Sequence, residues 1–268
     1  MTAPASPSLR VLVTRPQREA QAWVQALQAQ GVDAQAFSLI DIVPLPESAE
    51  MTLAWQHLNS YSAVMFVSAN AVRCFMTARP AGASTPTAQA WGTGPGTEAA
   101  LLAAGWPAHL IRCPGPDAAQ FDSETLWILV QADVQRWRRD GQEHAALIVR
   151  GADAQGRMAG RDWLARQMAD AGLQVTQCSA YARHAPHLNA AQLADARRAL
   201  GHGDWWLFSS SEAAVHLRQA LPDIDFSQAR ALATHPRIAE RLQQLGWGRV
   251  AVVPAALPAQ ALSIKSLT

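Results

Sequence analysis

Seven polar residues stand where short apolar runs give way to turns: Arg15, Ser68, Thr97, Arg150, Tyr181, Ser210 and His235. An arginine fork grips carboxylates. A serine or threonine hydroxyl donates to an oxyanion, and a phenol serves as a weak acid. The stretch Gly92-Thr93-Gly94-Pro95-Gly96-Thr97 adds main-chain amides. Its glycines let the backbone bend and approach a ligand. Pro95 and Thr97 suit the first turn of a helix, whose unpaired N–H groups bind anions. The set points to recognition of an anionic small molecule by hydroxyls, amides and arginines.

Several other chemistries lack their residues. The glycine stretch has neither the spacing nor the later acid of a dinucleotide fingerprint. Lys265 is the only lysine, so no phosphate-loop lysine exists. There is no Gly-x-Ser-x-Gly nucleophile elbow. His184 and His187 lack the cysteines or acids that would complete a metal site. The expectation is therefore no metal and no cofactor. Cys74, Cys113 and Cys178 are odd in number and widely spaced, as free thiols of a reducing compartment would be. A net charge of +1 gives no global pull on nucleic acid or membrane, and neither is an expected partner. The N-terminal residues carry no signal-peptide pattern, and no apolar run is long enough to span a bilayer. A cytoplasmic protein is expected.

Short apolar strands alternating with helices must position these residues. Strands are expected at 10–14, 33–42, 63–67, 146–149, 174–181, 205–208, 231–233 and 250–253. The helix after Ser68-Ala69-Asn70 carries Ala71, Val72 and Phe75, and Ser68 or Asn70 reads equally as its cap or as a ligand contact. Residues 152–160 read as a flexible segment. The alternation gives an α/β chain with parallel sheets flanked by helices, in which ligands sit beyond the carboxyl ends of the strands.

The pattern also repeats. Gly105-Trp106 and Gly246-Trp247 lie 141 residues apart, and at that shift Thr93 meets Thr234 and Pro95 meets Pro236. Gly31-Val32 and Gly172-Leu173 share the same shift, while Phe66-Val67-Ser68 and Phe208-Ser209-Ser210 differ by 142. Val13-Thr14-Arg15 resembles Val149-Arg150. This is the signature of an internal duplication. Pro44 with Pro46, and His184-Ala185-Pro186-His187, mark two linkers.

The ordered set VLVTRP (11–16), MFVSANAV (65–72), GPGTEAALLAAG (94–105), FDSETL (121–126), LIVRG (147–151), GRDWLARQMADAGLQV (160–175), AYAR (180–183), LFSSSEAA (207–214) and THPRIAERLQQLG (234–246) resembles the uroporphyrinogen-III synthase family. The resemblance spans nearly the whole chain. It departs after Arg150-Gly151, where this sequence has several more residues than the family's short turn.

The resemblance implies two similar lobes joined by a two-stranded linker, with the site in the cleft between them. One lobe would be 1–42 plus 184–268 and the other 43–183. It implies a cyclising lyase that dehydrates hydroxymethylbilane and inverts its terminal pyrrole ring, giving uroporphyrinogen III for haem, sirohaem and cobalamin. The carboxylate-rich substrate would match Arg15, Arg150, Arg161 and Arg237. Tyr181 resembles the tyrosine that assists departure of the hydroxyl, although a buried strand-end tyrosine fits its position too. Thr97 resembles a threonine of the binding loop. Ser68, Ser210 and Ser211 resemble serines facing the cleft. Asn70, Gly94, Gly151 and His235 complete the expected substrate contacts, with Gly94 the repeat partner of His235. A monomer is expected, with the preceding deaminase as a transient partner. Two other classes share a two-lobed form: a small-molecule binding protein, which would normally carry a signal peptide, and a nucleotide-sugar transferase, which would normally need a longer chain and an acid or basic residue for diphosphate and ribose.

Overall fold

The computed structural model describes residues 10–118, 120–158 and 162–267. The chain begins with β1 (Val11–Val13), α1 (Gln17–Ala29), β2 (Ala34–Ala36) and β3 (Asp41–Pro44). There follow α2 (Ala49–Gln56), β4 (Ala63–Phe66), α3 (Ala69–Thr77), β5 (Gln89–Gly92), α4 (Pro95–Ala103), β6 (Ile111–Arg112) and α5 (Ser123–Arg139). Then come β7 (Ala145–Ala152), α6 (Trp163–Asp170), β8 (Gln174–His184), α7 (Ala190–His202), β9 (Trp205–Phe208) and α8 (Ser211–Ala220). The chain closes with β10 (Arg230–Ala233), α9 (Pro236–Gln244), β11 (Arg249–Val252) and α10 (Leu257–Lys265).

Two compact units result. One holds the residues up to Asp41 together with those from His184 onward, and the other is Ile42–Arg183. The first unit's sheet runs β11-β10-β9-β1-β2, and the second unit's runs β3-β8-β7-β4-β5-β6. The ladders from β11 to β2 are parallel, as are those from β8 to β6.

The central strands are apolar on both faces, as parallel strands covered by helices must be. In the second unit, Val64, Phe66, Leu147 and Val149 point to one side, where Val72 and Phe75 of α3 and Leu101 of α4 meet them. Ala63, Met65, Ala146 and Ile148 point to the other, against Leu126 and Val130 of α5 and Leu164 and Met168 of α6. In the first unit, Val11, Val13, Trp205 and Leu207 pack with Leu27 of α1 and Ile264 of α10. Trp247 gathers Trp206, Phe208 and Phe226 around its ring, with centroids 5.0–6.5 Å away.

The sequence repeat is a repeat of topology. β2-β1-β9-β10-β11 and β8-β7-β4-β5-β6 carry the same spatial order, with β5 matching β10 and β4 matching β9. The β1–α1–β2 unit opens the first half of the chain but joins the sheet built by the second half. The β7–α6–β8 unit opens the second half but joins β4–β6 of the first. Ladder register fixes the equivalence: Val13 pairs Leu207, and Ile148 pairs Met65. Arg15 and Arg150 therefore hold the same place in the two sheets, and Pro16 corresponds to Gly151.

Three local readings change. The single strand expected at 33–42 is two strands in different sheets, β2 and β3. Between them Phe37, Leu39 and Ile40 are buried, so the apolar run continues while the backbone leaves the ladder. Pro44 ends β3 on the outer edge of its sheet, where a missing N–H is tolerated. In the segment expected to be flexible, residues 152–158 form a closed turn, and 159–160 lie outside the described residues. Ala152 and Met158 form an antiparallel bridge, and Asp153 accepts from the Gln155 and Arg157 amides at 3.0 and 2.9 Å. The strand expected to end at Tyr181 runs on to His184.

Candidate functional site

In both sheets the strand order reverses direction once, between β1 and β9 and between β7 and β4. Doubly wound sheets bind ligands at such a switch point, beyond the carboxyl ends of the two strands. The residues just past these four strands are the first candidates.

Past β4 stands Ser68. Its hydroxyl caps α3, accepting from the Ala71 amide at 3.2 Å. The same oxygen lies 3.2 Å from the Tyr181 phenol oxygen, and the two share a hydrogen bond. Tyr181 comes from β8 and is 4% exposed. Its ring covers Gly151 at the end of β7: a Cβ on Gly151 would sit 2.5 Å from Tyr181 Cε2 and 2.6 Å from Cζ. Ser68, Gly151 and Tyr181 are thus one cluster. Asn70 sits in the first turn of α3 and accepts from Arg73 at 2.7 Å.

The glycine stretch opens α4, with Gly94 as its N-cap and Pro95 in its first turn. Gly92 has no room for a side chain, since a Cβ would lie 2.5 Å from Cys113 Sγ and 2.8 Å from Thr97 Cγ2. Gly94 is covered by Phe121, whose ring and Cβ atoms lie 3.0–3.1 Å from the Cβ position. Its φ of 166° is extended backbone, so crowding rather than turn geometry accounts for glycine there. Thr97 is 4% exposed. Burial pushes the Cys113 thiol up to about 12, with Glu98 adding to it and hydrogen bonds from the Gly92 and Gly94 backbone opposing it. An inert thiol and an apolar ring therefore sit beside this helix start. Neither was readable as a neighbour from the sequence.

Past β1, Thr14 is buried and its hydroxyl donates to the Leu207 carbonyl at 2.8 Å. The Arg15 guanidinium lies over the Trp23 ring at 4.0 Å. Its Nε is shut from solvent with no hydrogen-bond partner among the described residues, and the same holds for Ser209 Oγ past β9. Burial lowers Arg15 from 12.5 to about 10. Ser210 caps α8, accepting from the Glu212 amide at 3.2 Å, and Ser211 begins that helix. Ser209 is a candidate that sequence reading passed over, although the triple serine contained it.

His235 caps α9, its Nδ1 accepting from the Arg237 amide at 3.1 Å and facing Arg237 Nε at 3.5 Å. An accepting Nδ1 fixes the proton on Nε2 in the neutral ring. The repeat partners Gly94 and Gly96 are bare, so the same turn carries backbone in one unit and two basic side chains in the other.

Arg150 stands in β7, one residue before Gly151. It is 4% exposed, and its Nη1 donates to Asp162 at 2.8 Å and to Gln177 at 2.7 Å. Its charge is already compensated inside the second unit. Arg161 lies outside the described residues. Among the described residues no three His, Cys, Asp or Glu side chains are grouped to hold a metal ion, and no helix is long and apolar enough to cross a membrane.

Arg15 yields a prediction with a definite sign. A half-buried arginine with a lowered pKa holds its proton less tightly when folded than when unfolded. The unfolded chain then binds more protons between about 10 and 12.5, so stability rises with pH there and the burial is a cost at neutral pH. Stacking on Trp23 offsets part of this cost. Arg15→Met, which keeps the stem over Trp23, is expected to raise the thermal midpoint of the ligand-free protein at pH 7 and to weaken its affinity for a polycarboxylate. Thermal melts with and without ligand check both halves; a lower midpoint would refute the cost.

A family model for uroporphyrinogen-III synthase HemD matches residues 21–261. Among solved structures, a substituted selenomethionine form of uroporphyrinogen III synthase from the extremely thermophilic bacterium Thermus thermophilus superposes with a TM-score of 0.55 at 16% identity, over 96% of this chain and 98% of that one. Uroporphyrinogen-III synthetase from Helicobacter pylori gives 0.53 at 14% identity, over 97% of this chain and all of that one. At these identities the two structures establish a shared fold, and the family model, which spans most of the sequence, establishes the kinship. This chain belongs to the uroporphyrinogen-III synthase family, cyclising lyases of tetrapyrrole biosynthesis.

Proposed function

We propose that the substrate is hydroxymethylbilane and that Tyr181 donates a proton or hydrogen bond as its hydroxyl departs. The match of the family model over residues 21–261 carries this reading. Loss of the hydroxyl leaves an azafulvene on one terminal pyrrole. The opposite terminal ring attacks it through its substituted carbon, and the resulting spiro intermediate fragments and re-closes with that ring inverted. One water leaves overall. The pyrrole nitrogen supplies the electrons that expel the hydroxyl, so the protein needs only one weak acid and a fold that holds the reacting ends together. Tyr181 is the phenol at the second unit's switch point, held by Ser68 at 3.2 Å.

The carboxylates of the substrate fall to the cationic and amide-rich turns. Arg15 and the His235–Arg237 turn serve this role in the first unit, with Ser210 and Ser211 at the α8 start. In the second unit Ser68, Asn70, Gly94 and Thr97 line the turns that meet the substrate, with Gly151 behind the Tyr181 ring. Arg150 supports that surface through Asp162 and Gln177, and Arg161 adds a cation. The protein acts as a cytoplasmic monomer and receives its unstable substrate from the preceding deaminase.

Because the pyrroles stabilise the developing cation themselves, turnover is expected to survive exhaustive chelation unchanged; loss on chelation with recovery on adding a metal would contradict it. Expression in a strain lacking its own uroporphyrinogen-III synthase tests the function as a whole. Restored haem formation is the expected result, and continued accumulation of type I porphyrin would overturn the reading.

A further inference from the structure

Gly151 does not owe its identity to backbone conformation. Its φ lies outside the left-handed region, so an alanine could adopt the same backbone. What excludes a side chain is the Tyr181 ring. The three heavy atoms nearest to a Cβ built on Gly151 are Tyr181 Cε2, Cζ and Oη, at 2.5, 2.6 and 3.0 Å. Real Cβ contacts are essentially never as short as the first two, so a methyl group there would force the ring aside. A tyrosine has only two side-chain torsions, and its far end cannot yield without moving the hydroxyl.

Two more devices aim the same ring. The β7–β8 register slips between Arg150 and Gly151: Arg150 faces Ser179, but Gly151 faces Tyr181, with Ala180 the extra residue. Such a bulge turns a side chain that strict alternation would place elsewhere, and bulges concentrate beside active sites. Ser68 then holds the hydroxyl at 3.2 Å while its own oxygen is pinned by the α3 amide of Ala71. The first unit's equivalent position is Pro16, which cannot form the same seat.

We propose that Gly151 is a positioning residue for the Tyr181 phenol, its missing side chain and the adjoining bulge forming the seat that sets the hydroxyl toward the departing oxygen. This rests on the reading of Tyr181 given above. Misplacement of a reacting group by about 1 Å can cost on the order of 100-fold in rate. The test is a double-mutant cycle of Gly151→Ala and Tyr181→Phe, with kcat and KM measured for type III formation. Gly151→Ala is expected to lower kcat roughly ten- to hundred-fold with KM little changed, and to cost nothing further once Tyr181 is phenylalanine. Equal losses in both backgrounds, or a change in KM alone, would overturn the positioning role. No loss from Tyr181→Phe itself would instead remove the underlying reading.

If Gly151→Ala fails to fold, Gly151→Ala/Tyr181→Ala is expected to fold, since it vacates the ring's space; an unfolded double variant would show that the glycine serves something other than the ring. A tyrosine-labelled sample with Tyr61→Phe leaves Tyr181 as the single phenol, because the chain has 2 tyrosines. Its ring resonances are expected to shift in Gly151→Ala, and unchanged resonances would contradict displacement.

Discussion

Replacing Tyr181 by phenylalanine is expected to lower the rate of type III macrocycle formation by roughly 100-fold, toward the low end of the range for general-acid help. The low end applies because the pyrrole nitrogen already drives the hydroxyl out, and positioning of the reacting ends carries the remainder. The fold should be intact. The ring stays over Gly151, and Ser68 keeps its bond to the Ala71 amide. Binding should change little, so the loss should appear in kcat. Circular dichroism serves as the folding control. Wild-type turnover in this variant would make Tyr181 structural and shift the work to main-chain amides.

The largest stability effect is expected at Trp91. Its side chain is fully buried in the second unit. It stacks on Trp137 with centroids 5.9 Å apart, and its indole N–H donates to Gln89 at 2.9 Å. Trp137 in turn stacks on His144, which bridges Ser62 at 2.6 Å and Asp140 at 2.9 Å. Trp91→Ala removes the floor of this stack and leaves a cavity that the rigid sheet cannot close. A loss of about 3–5 kcal/mol follows. Urea unfolding followed by circular dichroism reads it as a lower midpoint at unchanged slope. A midpoint within experimental error of the parent would mean that the stack relaxes over the gap.

The strands were legible where burial on both faces left a continuous apolar run, as in AVMF of β4 and WWLF of β9. The repeat was legible because equivalent turns keep their glycines and prolines. The stretch 33–42 misled because Phe37, Leu39 and Ile40 are buried without joining a ladder. The site was legible only in its parts. Ser68 and Tyr181 meet across 113 positions, and nothing local in either segment announces the other. Arg150 was legible by its place at a strand end, and its partners Asp162 and Gln177 arrive from 12 and 27 residues away. Phe121, which fills the space a side chain on Gly94 would need, is likewise a neighbour made only in three dimensions. The arginine pair was the reverse case. Arg15 and Arg150 are equivalent by ladder register, yet Arg150 is held by an acid and an amide of its own unit while Arg15 stacks on an indole.

A member of this family inverts a pyrrole ring during closure. Freshly prepared hydroxymethylbilane closes by itself to the type I macrocycle, without inversion. Incubation with the purified protein, oxidation of the products and separation of the porphyrin isomers measures the inversion directly. The type III isomer is expected to dominate and to form faster than spontaneous type I closure, in proportion to protein concentration. A product mixture identical to the protein-free control would contradict it.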